Sequence, residues 1–437
     1  MKKMLFMALA AAGMLSACSN NDDIAGVNAN IDESAKQQIQ LGVSSATVNT
    51  RGTGTVGDME NSADNVWAGQ YLWVYMLEKG SMKVAQYYDP ATAGAVPTGA
   101  DIFNNTLFTA PKPAAGATGV ATGVASTFDG TIAYYPVTGN SDFWGYRVDN
   151  AANADPTTAP TVNLCDNNNN VATGEAATRR VVDITIDGSQ DIMAGKAELD
   201  PNTLPEGARH EDYFSAYSAR KGVQPNIKFN HLLSRLTFNV KAGDESAAGN
   251  GVNTEAVKIK KVTVKSKVNG KLVVAHTAAD VPAQLLTFTD ADASTALKLM
   301  ERPSNDHNAQ LRDLTETPLT WGATGGDKIR LGEALLVAPG ETSYEMTIEL
   351  EQNVMVKAGD AAAGVAPVYE IKKLQFTHPI KIDGTTAFEA GNSYDVTVTV
   401  YGLQKIEVTA TLTPWKDGGN IDIDDDRDPS STFTPGA

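Results

Sequence analysis

Tyr344-Glu345-Met346-Thr347-Ile348-Glu349-Leu350-Glu351 sets an apolar side chain at every even position and a polar one at every odd position. A β-strand turns successive side chains to opposite faces, so this octet predicts a strand with one dry face and one wet face. The same period returns where Tyr394, Val396, Val398 and Val400 interleave with Asp395, Thr397 and Thr399, and again in Val182-Asp183-Ile184-Thr185-Ile186. Tyr71-Leu72-Trp73-Val74-Tyr75-Met76-Leu77 differs, being aromatic and aliphatic throughout. Such a run fits a strand buried on both faces.

Working outward from these runs, the chain looks almost wholly β. The Ala-, Gly-, Pro- and Thr-rich residues 111–126 and the Asn-rich residues 150–170 predict long surface loops. No long helical period competes with the strand signals, so the expected fold class is all-β, built of antiparallel β-sandwiches. A chain of 437 residues is long enough for more than one core. Two domains are expected, with a boundary at the polar, Gly- and Pro-containing Lys221-Gly222-Val223-Gln224-Pro225.

Residues 1–23, MKKMLFMALAAAGMLSACSNNDD, have the pattern of an export signal. Lys2 and Lys3 supply a positive start, residues 4–14 an apolar run, and Leu15-Ser16-Ala17-Cys18 a small-residue cleavage site followed by cysteine. A membrane-spanning helix needs roughly 20 apolar residues, so removal of residues 1–17 and lipidation of Cys18 are expected. Only Cys165 remains as a second cysteine, and a lipidated Cys18 leaves no intramolecular disulfide to form. Residues 19–36 are polar and aperiodic, as in a tether. Ile39-Gln40-Leu41-Gly42-Val43 then alternates like a half-buried strand, and Thr50-Arg51-Gly52-Thr53-Gly54-Thr55 reads as an exposed hinge in which Arg51 is open to a protease.

Charge and motif content narrow the function classes. The chain has 35 basic and 52 acidic residues, a net charge of -17, which repels phosphate backbones and argues against nucleic acid as a partner. There is no G-x-S-x-G, H-E-x-x-H or Gly-Lys-Ser/Thr phosphate loop, so an enzyme is not expected and no cofactor is called for. His210, His231, His276, His307 and His378 lack metal-ligand spacing, and His231 among Phe229, Leu232, Leu233 and Leu236 is expected to be structural. Cys165 has no basic neighbour in sequence to make it a nucleophile. Asp422, Asp424, Asp426 and Asp428 open like a calcium loop, but Arg427 stands where that loop needs glycine and Phe433 where it needs glutamate. Trp67, Trp73, Trp144 and Trp321 are expected in cores rather than on a sugar-stacking surface.

Phe229-Asn230-His231-Leu232-Leu233-Ser234-Arg235-Leu236-Thr237-Phe238 resembles the fimbrillin family of Bacteroidales, the subunits of type V pili. Phe388-Glu389-Ala390-Gly391-Asn392-Ser393-Tyr394 resembles that family's glycine turn and tyrosine before a late strand. Residues 406–412 followed by Pro414-Trp415-Lys416-Asp417-Gly418-Gly419 resemble its closing strand and Trp-x-x-Gly element, and Thr50-Arg51-Gly52 resembles its maturation site. Asp22-Asp23 soon after Cys18 resembles the surface-export tag of Bacteroidota lipoproteins.

What the resemblance implies is a fimbrial subunit of two transthyretin-like β-sandwich domains, residues 52–222 and 223–437. They would follow a signal peptide at 1–17 and a removable tether and first strand at 18–51. The subunit would reach the outer membrane through lipid on Cys18 and be cut between Arg51 and Gly52 by a trypsin-like arginine protease. That cut would take away Ile39, Leu41 and Val43 and leave an apolar groove with unpaired strand edges, which a strand from another fimbrial subunit would fill. The donor is expected near the C-terminal end, either Ile406, Val408, Ala410 and Leu412 or the stretch holding Ile421 and Ile423. The competing expectation is a monomeric surface lipoprotein, still anchored through Cys18, that binds a glycan or a host protein.

Overall fold

The computed structural model describes residues 37–39, 41–45, 71–87, 100–109, 133–136, 139–149, 158–199, 214–220, 223–249, 255–303, 310–322, 324–360, 362–383, 385–402, 405–413 and 420–423. The octet at residue 344 opens the longest strand, and its alternation appears as burial: Tyr344, Met346, Ile348 and Leu350 are buried, and the residues between them are not.

The strands of the main sheets are, in chain order, β1 (Leu41–Ser45), β2 (Tyr71–Glu78), β3 (Thr106–Thr109), β4 (Ser141–Val148), β5 (Val162–Cys165), β6 (Arg179–Thr185), β7 (Ile192–Ala197) and β8 (Asn226–His231). They continue as β9 (Ser234–Ala242), β10 (Lys258–Ser266), β11 (Asn269–His276), β12 (Leu286–Phe288), β13 (Thr295–Lys298), β14 (Ile329–Val337), β15 (Tyr344–Lys357), β16 (Val368–Ile380), β17 (Ser393–Tyr401), β18 (Lys405–Thr413) and β19 (Asn420–Ile423). Among the described residues helix is confined to short turns such as Ala216–Arg220 and Glu245–Ala248. The protein is therefore all-β, and among the described residues no helix is long and apolar enough to cross a membrane.

A seven-stranded sheet runs in the order β19-β1-β8-β7-β4-β2-β3. The sheets β14-β9-β17-β18 and β13-β10-β15-β16 turn their dry faces into one large core, where Leu236, Phe238, Val396 and Val398 meet Val262, Val264, Met346 and Ile348. A fourth sheet, β12-β11-β6-β5, contains strands from both sides of residue 222, and β8 from beyond that residue joins the seven-stranded sheet. Pairing is antiparallel except where β1 lies parallel to β8 and β9 parallel to β17.

The run at residue 71 shows why a strand without alternation was written there. Trp73, Tyr75 and Leu77 enter the large core, while Leu72, Val74 and Met76 enter a second core on the other face. The seven-stranded sheet is the wall between the two. Phe388 packs between Tyr344 and Tyr394, with ring centroids 4.9 and 4.7 Å away, and Gly391 turns the chain into β17 at φ +73°, a conformation that favours glycine.

Three sequence expectations need correction. The strand expected from Ile39 to Val43 begins instead at Leu41, because Ile39 makes its backbone bond to the 133–135 segment rather than to β8. Trp321, expected in a core, is 37% exposed, since it sits in a two-residue pairing with Gly326 outside the main sheets. Leu412, expected to share a dry face with Ile406 and Ala410, is 60% exposed near the end of β18, the outermost strand of its sheet.

Candidate strand-exchange site

The site is the edge of the seven-stranded sheet where β1 lies between β8 and β19. Gly42, Val43, Ser44 and Ser45 stand opposite Asn226, Ile227, Lys228 and Phe229 in parallel register. On the other side Leu41, Gly42, Val43 and Ser44 stand opposite Ile423, Asp422, Ile421 and Asn420 in antiparallel register. Just before β1, the Ile39 N–H donates to the Ala133 carbonyl at 3.0 Å and the Tyr135 N–H to the Gln37 carbonyl at 2.9 Å.

Side chains anchor this segment as firmly as its backbone does. Ile39 and Leu41 are 5% and 2% exposed, in the second core with Ile227, Phe229, Met193 and Tyr135. Burial of two aliphatic side chains contributes roughly 3–6 kcal/mol, and the same free energy opposes leaving the groove empty.

The wall of the groove is β8, whose period-2 sequence sends Ile227, Phe229 and His231 inward and Lys228 and Asn230 outward. Its other neighbour, β7, approaches so closely that a Cβ on Gly195 would lie 2.0 Å from the Lys228 carbonyl oxygen, so glycine is required there. Below β8 is a buried polar network. His231 Nδ1 lies 3.0 Å from Asp191, the Asp191 N–H donates to Asp149 at 3.1 Å, and Asp149 is bonded by Arg147. Arg147 Nη1 also donates to the Tyr71 carbonyl at 2.6 Å, and the Gln190 side chain to the Asp149 carbonyl at 3.1 Å. Burial pushes the Arg147 guanidinium down to about 10, against the opposing pull of Asp191, so it remains a cation at neutral pH. The network ties β2, β4, β7 and β8 into one rigid support.

The sequence-derived candidates fall into three groups. Ile39 and Leu41 line the groove, and Val43 lies on the same short strand. Ile406, Val408, Ala410 and Leu412 lie on β18, in a different sheet from β1, whereas Ile421 and Ile423 lie on β19 directly opposite Val43 and Leu41. Cys18, Arg51 and Gly52 lie outside the described residues. Sequence reasoning missed the 133–135 contact and the partners of His231, since Asp191 is 40 residues away and no short motif links them. Cys165 is buried against Val181 and Val273, and burial pushes its thiol up. Among the described residues no group of three or more His, Cys, Asp or Glu side chains is placed to hold a metal ion.

Residues 200–415 match the family model described as fimbrillin-like. This segment belongs to the fimbrillin-like family. No curated protein matches the chain. Among solved structures, a candidate cell adhesion protein from Bacteroides uniformis is 14% identical, with a TM-score of 0.42 over 87% of this chain and 100% of that one. The fimbrial anchor protein Mfa2 from Porphyromonas gingivalis is 12% identical, with a TM-score of 0.30 over 86% of this chain and 98% of that one. The family assignment rests on the sequence match. The fimbrillin-like segment contains β8 to β18, and so the wall of the groove and one of the two candidate donors. Membership supports a role as a subunit of a cell-surface fimbria.

Proposed function

We propose that this chain is a structural subunit of a fimbria, exported as a lipoprotein through Cys18, cut between Arg51 and Gly52, and assembled by strand exchange with other fimbrial subunits. Adhesion is the biological output. The observation that carries this reading is the position of β1: a short strand second from the edge of its sheet, between β8 and the terminal strand β19, joined by Leu41, with Ile39 just before it, to the smaller core and lying upstream of Arg51 in the chain. Its removal bares the β8 edge and an apolar slot, and an extended strand from a second subunit restores both the backbone bonds and the burial.

β19 is the better donor of the two candidates. β18 pairs with β17 along its whole length and buries Ile406 and Ala410, so donating it would open the large core. β19 is the outermost strand of its sheet. Arg51→Ala tests the processing step: the variant should accumulate at the outer membrane as unpolymerised precursor, and normal fibres from it would refute the reading. Unpolymerised wild-type chains that bind soluble glycan would favour an anchored binding protein instead.

A further inference from the structure

The strand that leaves and the strand that is donated are paired with each other. β1 has β8 on one edge and β19 on the other, and among the described residues β19 has no strand partner but β1. Leu41 faces Ile423 and Val43 faces Ile421, so the two apolar positions of β19 lie beside the segment that cleavage would remove.

We propose that the cut which frees β1 also frees residues 420–423, so that the uncleaved chain holds its own donor strand masked and a single event exposes both donor and acceptor. The proposal rests on the strand-exchange reading above and adds its regulation. Ordering a backbone residue costs about 1–2 kcal/mol, and a four-residue strand offsets that only through its ladder to a neighbour. Without β1 that ladder is gone. Asp422, Asp424, Asp425 and Asp426 crowd like charge into the same stretch, so it has little tendency to collapse on its own. A precursor arranged in this way is doubly protected, because its groove is filled and its donor is occupied. It therefore neither accepts nor donates a strand before it is processed.

Hydrogen exchange of the amides of residues 420–423 tests this, read by mass spectrometry on the full-length precursor and on the Arg51-cleaved chain. The cleaved sample is kept dilute enough to stay monomeric, and the released fragment that ends at Arg51 is removed by sizing. Exchange at 420–423 should be at least tenfold faster after the fragment is gone. Val43→Pro, which breaks the β1 ladder without a cut, should speed exchange there in the uncleaved chain. Equal protection before and after removal, as when β19 slides onto the bare β8 edge, overturns the proposal. So does a tail already unprotected in the precursor, or one unaffected by Val43→Pro. Polymerisation, followed separately at high concentration, distinguishes the two readings. A freed tail without polymers refutes strand exchange alone, whereas polymers with unchanged tail protection refute the coupling alone.

Discussion

Arg147 is a cation almost without water, 3% exposed, and its place on β4 is fixed by Asp149 and the Tyr71 carbonyl. Such a group is held by its partners rather than by solvent, so breaking the pair costs far more than a surface ion pair contributes. Arg147→Met keeps the bulk but leaves the Asp149 carboxylate without this cation. It should lower stability by about 3–5 kcal/mol in denaturant unfolding at neutral pH. The loss should be equal before and after cleavage, since β2, β4, β7 and β8 are common to both forms. A loss confined to the uncleaved chain would mean that the network supports β1 and not the wall of the groove. At this scale the sequence was only partly legible: the apolar neighbours of His231 marked it as structural, but its pairing with Asp191 depends on how β7 and β8 lie together.

Strands were legible wherever their period was clean, because alternation and continuous apolar runs directly reflect whether one face or two faces of a sheet are buried. What the period does not encode is a strand's neighbour. Ile406 to Leu412 and Ile421 to Ile423 alternate alike, yet β18 is built into the large core along β17 while β19 is joined to the edge of β1. The two should differ sharply on perturbation. Ile406→Ala, which opens a cavity in the large core, should cost about 2–5 kcal/mol in the Arg51-cleaved monomer. Deleting residues 420–437 should leave the unfolding midpoint of that monomer nearly unchanged and abolish its ability to donate. An equal loss from both changes would make β19 part of the permanent fold.

At the scale of the described core, the seven-stranded sheet separates a large cluster from a smaller one, and Ile39 and Leu41 belong to the smaller. The proposed removal is compatible with that division: loss of Ile39 and Leu41 would open the small core, while the described members of the large one keep their contacts. The all-β class was readable from local pattern. The parallel seat of β1 on β8 was not, because it joins segments more than 180 residues apart. The most direct test of the account is brief trypsin treatment of the purified precursor, followed by N-terminal sequencing and sizing. The account predicts a stable product that begins at Gly52 and forms oligomers resistant to mild denaturation. Monomers that persist with residues 39–45 still protected would contradict it.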